Sequence, residues 1–148
     1  MYNLIIFFCL LALGYFSGNY FEQQHYKSIK RRERKTLSLP AVTFGAKKPI
    51  PEAEVAALFV GSVVISADYF KMFVYGLRNL VGGRVVVYES LLDRGRREAL
   101  LRMKEQAITW GASTIVNVRL ESSNIGRQAG NNKGMVAIEV IAYGTGIK

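Results

Sequence analysis

The longest regular pattern of apolar and polar positions runs from Val85 to Trp110. Small or apolar residues recur there at steps of three and four, which predicts an α-helix whose single apolar stripe lies across a sheet. The stripe comprises Tyr88, Leu92, Gly95, Ala99, Met103, Ala107 and Trp110. The opposite face is ionic, and its i,i+4 pairs Asp93–Arg97 and Glu98–Arg102 are expected to be exposed and to contribute roughly 0.3 kcal/mol each. Gly111 is predicted to end the helix, because glycine adopts the left-handed conformation readily.

Three shorter segments have the patterns of β-strands. Leu58–Ile65 is a mainly apolar run rich in β-branched residues that suits a buried strand, and Ile115–Glu121 alternates strictly between apolar and polar side chains. Met135–Tyr143 is predicted to be the third strand. The positions predicted to face the core in the last two strands are Val116, Val118, Leu120, Val136, Ile138, Val140 and Ala142.

A second helix is predicted between the first strand and the long helix. Asp68 can cap a helix from Tyr69 to Val81, and Gly82-Gly83 can end it before the next helix begins. The predicted order is β-α-α-β-β, an α+β domain in which two helices pack on a three-stranded antiparallel sheet. Residues 54–148 are predicted to form this domain, with Ser122–Gly134, rich in Asn, Gly and Ser, as a long loop.

Residues 1–21 carry no charged side chain. Tyr2–Phe21 would span about 30 Å as a helix, the thickness of the hydrocarbon core of a bilayer, and aromatic residues lie at both ends. A single transmembrane anchor at residues 1–21 is the favoured interpretation. A cleaved signal peptide is the alternative, although no Lys or Arg precedes the apolar run.

A basic cluster follows the apolar segment and comprises Lys27, Lys30, Arg31, Arg32, Arg34 and Lys35. Positive flanks stay cytoplasmic, which predicts a bacterial-type inner membrane protein with its N-terminus outside and its C-terminal domain in the cytoplasm. The cluster is expected either to contact anionic lipids or to act only as a topology signal. Nucleic acid is a disfavoured partner, because residues 22–48 hold eight Lys or Arg against two Glu (+6), whereas residues 49–148 hold twelve against nine (+3).

Residues 22–53 are predicted to link the anchor to the domain. All three prolines of the chain lie in this segment, and Leu37–Pro51 shows no sustained periodicity. One short extended piece is expected at Ala41–Phe44. The linker would let the domain stand off from the membrane.

The last predicted strand has a second face that is unusually apolar for a surface, formed by Met135, Ala137, Glu139, Ile141 and Tyr143. We expect Glu139 to pair with Arg119 across the sheet, and a second copy of the chain to cover the remainder. The sequence therefore predicts a homo-oligomer.

Several sequence landmarks lie between Leu58 and Gly146. They are Val81-Gly82-Gly83-Arg84, Tyr88-Glu89, Ala107 with Gly111-Ala112, Val116-Asn117-Val118 and Gly144-Thr145-Gly146. On these landmarks the chain resembles the YbjQ-like family, which is catalogued under heavy-metal binding. The resemblance implies a small α+β subunit that assembles as a ring-like homopentamer, and it implies no demonstrated activity. The anchor and the basic linker depart from the typical family member, which looks like a soluble single domain.

Few side chains are suited to catalysis or to metal binding. Cys9 is the only cysteine and His25 the only histidine, which excludes a Cys/His zinc site within one chain and leaves few donors for a soft metal. Arg84 and Glu89 lie beside a glycine turn at a helix start, where an anion is favoured. One interpretation is a small phosphate-bearing ligand; in the other, Arg84 ties the turn or bridges to a carboxylate of a neighbouring subunit. No Gly-Lys-Ser/Thr follows Gly82-Gly83, so this turn is not a phosphate loop.

These features predict a non-enzymatic, membrane-anchored homo-oligomer that acts as a scaffold or docking protein, with no metal and no cofactor. The alternative is a module that holds a metal ion or a small anionic ligand at subunit interfaces. The candidate residues for ligand or interface contacts are Gly82, Gly83, Arg84, Glu89, Arg119 and Glu139.

Overall fold

The computed structural model describes residues 2–44, 49, 51–66, 86–125 and 137–148. Its elements are α1 (Tyr2–Lys35), β1 (Ala41–Val42), β2 (Ala56–Ser66), α2 (Val86–Trp110), β3 (Thr114–Ile125) and β4 (Ala137–Ile147). The strands form one sheet in the order β1-β3-β4-β2, and α2 packs mainly on β2 and β4. The fold is α+β, as predicted, with two helices in the described ranges.

The sheet has four strands and is mixed, so the prediction of three antiparallel strands was wrong in this respect. β4 pairs antiparallel with both β2 and β3. β1 pairs parallel with β3 through Ala41 and Val42, within the short extended piece expected in the linker. The Ile115 N–H donates to the Pro40 carbonyl at 2.9 Å, so the proline lies at the end of this pairing, where its missing N–H is not needed.

Small residues bring α2 close to the sheet. Gly61 of β2 lies against the backbone of Ala99 and Met103, and a Cβ at this position would overlap with both. A Cβ on Gly95 would lie 2.7 Å from Cγ2 of Val140. The predicted stripe is confirmed by the burial of Gly95, Ala99, Met103 and Ala107, and the predicted helix end is confirmed at Gly111, whose φ is 88°.

β3 departs from strict alternation at a bulge between Val116 and Arg119. Asn117 has a φ of 55°, in the left-handed region that Asn tolerates better than most residues. Ile115 and Val116 precede the bulge and are both buried, whereas Leu120 is exposed because α2 covers β2 and β4 rather than this part of β3. The predicted burial is confirmed for Val116 and wrong for Leu120.

The register of β3 and β4 separates two residues that were expected to pair. Arg119 lies opposite Tyr143, and Glu139 lies opposite Ser123. The predicted Arg119–Glu139 pair is therefore wrong. β3 also continues to Ile125, through residues predicted to begin a loop, because pairing with β4 satisfies their backbone groups.

The sheet face turned away from α2 is apolar along β2. Leu58, Val60 and Val64 on this face are 67%, 44% and 57% exposed. Val60 pairs with Tyr143, and Val64 pairs with Glu139. On the opposite face of β4, the predicted core positions Ile138, Val140 and Ala142 are buried, which confirms them.

α1 does not end at residue 21 but continues without a break to Lys35. Its first half is exposed, and α1 is long and apolar enough to cross a membrane. The segment predicted as a linker is therefore helical over residues 22–35. Residues 36–42 are not a free tether either, because Leu39 is buried in the hydrophobic core and Ala41 joins the sheet.

Several predicted features lie outside the described residues. They are the helix at 69–81 with its Asp68 cap, the turn Gly82-Gly83-Arg84, the side chain of Tyr88, residues 126–134 of the predicted loop, and Met135 and Val136.

Candidate functional site

The second half of α1 lies against α2, and we call this contact, between residues 25–36 and Arg94–Glu105 of α2, the α1–α2 junction. His25, Ile29 and Arg32 lie on one face of α1, and Thr36, directly after the helix, continues the same steps of four and three. Ile29 and Thr36 are buried there. The junction therefore fixes the membrane-length helix to the sheet-packing helix.

Arg32 joins α1 to two carboxylates of α2. Its Nε and Nη2 donate to Oε1 and Oε2 of Glu105 at 2.6 and 2.7 Å. Its Nη1 donates to both carboxylate oxygens of Glu98 at 2.9 and 2.8 Å. Glu98 also accepts from Arg102 Nε at 2.9 Å, and Arg102 Nη1 donates to the Ser62 carbonyl of β2 at 2.8 Å. A series of charge-assisted hydrogen bonds thus connects α1 through α2 to the sheet.

A second pair with two parallel hydrogen bonds lies beside the first. Arg97 Nε and Nη2 donate to Oε1 and Oε2 of Glu33, both at 2.7 Å, whereas Asp93 lies 3.9 Å from Arg97. The predicted pair Asp93–Arg97 is therefore only a long contact. The predicted pair Glu98–Arg102 is present, but Glu98 is 3% exposed rather than solvated. The ionic face of α2 consequently positions α1, contrary to the expectation that it only faces solvent.

The three carboxylates of the junction have lowered pKa values. Burial opposes ionisation of Glu98, but hydrogen bonds from Arg32 and Arg102 outweigh it and hold the pKa of Glu98 below its ordinary value. For Glu33 and Glu105, the bidentate arginine described above lowers the pKa directly. The junction is therefore held by ionised groups at neutral pH.

His25 and Arg94 lie at the beginning of the junction. Burial lowers the pKa of His25, and the positive charge of Arg94 lowers it further, against a smaller opposing effect of Glu98. Within the described part of the chain, Nδ1 of His25 and Nε of Arg94 are buried without a hydrogen-bond partner. This end of the junction thus differs from the other, where each arginine is paired.

Five of the six residues of the basic cluster are exposed and lie away from the junction: Lys27, Lys30, Arg31, Arg34 and Lys35. At about 100° per residue they occupy an arc of about 140° on the side of α1 opposite Ile29 and Thr36. Arg32 lies on the junction side and is bound to α2. Arg32 therefore has a structural role, and the other five residues remain available to an external partner.

The predicted ligand or interface residues do not form one site in the described part of the chain. Gly82, Gly83 and Arg84 lie outside the described residues. Glu89 is exposed in the first turn of α2, where a carboxylate suits the helix dipole. Arg119 and Glu139 lie on the sheet face turned away from α2, so the sheet separates them from Glu89.

Sequence reasoning missed the junction because its hydrogen-bonded partners are 64 to 73 residues apart along the chain. One signal could have indicated it. Positions at steps of three and four repeat in both segments, at His25, Ile29, Arg32 and Thr36 in and directly after α1 and at Arg94, Glu98, Leu101 and Glu105 of α2.

Known proteins match most of the chain. The YbjQ family model, described as "Putative heavy-metal-binding", matches residues 43–148, so α1 precedes the matched region. A UPF0145 protein of Limosilactobacillus fermentum is 36% identical over 107 residues, which cover 72% of this chain and 88% of that protein. UPF0145 proteins of Clostridium novyi and Halobacterium salinarum are 36% and 41% identical, and the alignments cover 66% and 59% of this chain and 86% and 76% of those proteins.

A solved structure also resembles the chain. It is the crystal structure of a protein of unknown function of the DUF74 family from Pediococcus pentosaceus, with a TM-score of 0.44 and 14% sequence identity, over 74% of this chain and 95% of that chain.

Proposed function

This chain belongs to the YbjQ-like family of UPF0145 proteins, and on that premise we propose that it is a non-enzymatic, membrane-anchored homo-oligomer that serves as a scaffold or docking protein. The observation that carries this proposal is the continuity of α1. The exposed apolar half of α1 and the half bound to the family domain are one helix. Whatever holds the apolar half therefore also positions the domain.

The bilayer is the environment that suits the first half of α1. Large apolar side chains are exposed on all sides of it, including Leu4, Phe7, Phe8, Leu10, Leu13 and Phe16. Exposed apolar surface of this extent is unfavourable in water and favourable in lipid. The cationic residues that follow support an orientation with the N-terminus outside and the domain in the cytoplasm.

Extraction and protease protection test the anchor and its orientation. The full chain should stay in the membrane fraction after an alkaline carbonate wash. In inverted vesicles, protease should cleave the domain without detergent, whereas in right-side-out vesicles it should not. Release by carbonate, or cleavage from the outer side, would contradict the proposal.

Self-association through the outer sheet face is the second part of the proposal. The apolar row Leu58, Val60 and Val64, with Ser62 between the last two, is long enough to face a partner strand or sheet, and a second copy of the chain is the occupant we propose. A ring-like pentamer, as the family resemblance implies, would be the resulting assembly.

Crosslinking in native membranes tests this assembly. Val60→Glu places a charge in the apolar row and should convert the crosslinked oligomer to monomer. Val55→Glu changes a valine of similar exposure, 49% against 44%, that lies outside the strand and should leave the oligomer intact. A monomeric wild-type chain would contradict the proposal.

Metal binding, which the family description names, is poorly supported by the described donors. Cys9 lies in the apolar half of α1, Met103 is fully buried in the core, and His25 belongs to the junction. Within the described ranges, no three His, Cys, Asp or Glu side chains come together. These donors do not fit a heavy metal ion, which prefers several soft ligands. Elemental analysis of the purified chain that returned one metal per subunit would contradict this conclusion.

A further inference from the structure

The beginning of the α1–α2 junction is the end nearest the membrane. His25 lies beside Arg94 and Glu98, and Arg32, two turns later, binds Glu98 and Glu105. The two helices therefore advance in the same direction along the junction. The His25–Arg94 end consequently faces the apolar half of α1.

The height of this end above the hydrocarbon follows from helix geometry. Tyr2–Phe21 is long enough for the hydrocarbon core, and His25 follows Phe21 by four residues, or about 6 Å. The headgroup layer on each side of the core is about 5–7 Å thick. With α1 anchored as proposed and normal to the bilayer, His25 and the neighbouring Arg94 would lie at the level of the lipid phosphates.

Arg94 differs from the other arginines of the junction in its pairing. Arg32, Arg97 and Arg102 each bind a carboxylate at 2.9 Å or less. Among the residues that the structure describes, Arg94 takes part in none of these ion pairs, and its Nε has no hydrogen-bond partner. Nδ1 of His25 is likewise buried without a hydrogen-bond partner. A buried polar atom without a hydrogen-bond partner is unfavourable, so two of them together favour a ligand that accepts hydrogen bonds.

The carboxylates near this end are already engaged. Glu98 accepts hydrogen bonds from Arg32 and Arg102, and Glu22, one turn before His25, has an interaction of its own. A phosphodiester offers two non-bridging oxygens with negative charge, and arginine binds such groups with two donors. Both side chains are half-buried, so part of each is open to a ligand at the edge of the junction.

We propose that Arg94 and His25 bind the phosphate of a membrane lipid headgroup at the membrane-proximal end of the α1–α2 junction. The site rests on the proposed anchoring of α1 and goes beyond it, since it assigns a specific ligand to residues outside the basic cluster. A bound headgroup would tie α2, and with it the domain, to the lipid surface at a second point.

The single histidine of the chain makes this site directly observable. In the full chain in dodecyl maltoside, NMR titration of the imidazole reports the pKa of His25 alone. Dioleoylphosphatidylglycerol should raise this pKa by about one unit, because the phosphate stabilises the protonated ring. Oleate supplies the same charge in a lipid without phosphate, and inorganic phosphate supplies the group without the lipid. Both should raise the pKa much less.

Matched variants assign the effect to Arg94. Arg94→Gln should abolish the rise caused by dioleoylphosphatidylglycerol, whereas Arg96→Gln, at an exposed position two residues away, should retain it. An equal rise with oleate, an equal rise with inorganic phosphate, or no rise in the wild-type chain would each overturn the proposal. The comparison of the two lipids and inorganic phosphate uses the wild-type chain, so it does not depend on the folding of any variant. Anchoring is scored separately by carbonate extraction, so either proposal can fail without the other.

Discussion

Glu98 is the residue on which the attachment of α1 to the domain depends most directly. Its side chain is buried on α2, yet it accepts hydrogen bonds from arginines of two helices. A buried carboxylate is favourable only when its charge is compensated, and here Arg32 and Arg102 provide the compensation. Loss of the charge would leave both guanidinium groups with fewer partners.

Glu98→Gln should lower the free energy of unfolding by about 2–3 kcal/mol. This loss of unfolding free energy is smaller than expected for a fully buried ion pair, because the Arg32 side chain is 27% exposed. Urea unfolding in mild detergent, followed by the fluorescence of the single tryptophan Trp110, measures it. Asp93→Asn is the matched control, since this carboxylate is largely exposed, and should change the free energy by less than about 0.5 kcal/mol. Equal losses of stability in the two variants would contradict the role given to the charge of Glu98.

At the scale of elements, the contact of α2 with β2 depends on one glycine. Gly61→Ala places a Cβ against the backbone of Ala99 and Met103, which cannot move as a flexible side chain would. We expect a loss of about 3 kcal/mol in the free energy of unfolding, at the upper end for overpacking. Gly14→Ala in α1 is the control, because a Cβ there meets no atom within 4 Å. A neutral Gly61→Ala would show that the helix can shift away from the sheet at little cost.

The junction between α1 and α2 should loosen in two steps as the pH falls. The pKa of His25 is lowered in the fold, so the unfolded chain takes up this proton first and stability decreases as the pH drops below about 6.5. The pKa values of Glu33, Glu98 and Glu105 are also lowered, so their contribution is complete above about 4.5 and is lost as the pH falls through their folded values.

Unfolding free energy measured against pH would show both steps. His25→Gln should remove the upper step and keep the lower one, since the carboxylate pairs are unchanged. A wild-type profile that stays flat between pH 7 and pH 4 would contradict the role given to these groups.

The elements that sequence analysis predicted well are those with local causes. The stripe containing Ala99 and Met103 and the end at Gly111 follow from residue spacing and from backbone freedom, which can be read within a few residues. The bulge at Asn117 depends on how β3 pairs with two strands, and the Arg32–Glu98 contact depends on chain packing over 66 residues. The change of composition after Phe21 also obscured the helix, because a change from apolar to basic residues alters the surroundings of a helix without ending it.

For the molecule as a whole, the second half of α1 belongs to the folded domain, while its first half is the anchor that we propose. A shortened chain that lacks residues 1–21 should remain folded and become soluble in water, because Ile29, Thr36 and Leu39 are retained. A chain that lacks residues 1–40 should lose several kcal/mol of stability, since burying side chains of this kind contributes about 1.5–3 kcal/mol each. Urea unfolding of the two chains compares them directly. Equal stability would show that the junction contributes nothing to the fold.

The parallel pairing of β1 with β3 has a consequence for biosynthesis. Ala41 leaves the ribosome about 74 residues before its partner Ile115, and α1 likewise precedes the arginines and glutamates of α2. At about 5–20 residues per second, this interval lasts roughly 4–15 s. During that time the apolar half of α1 is already complete while the surface that will hold its second half has not been made. With α1 anchored as we propose, membrane insertion can therefore come first, and the domain then closes onto a helix that is already in place.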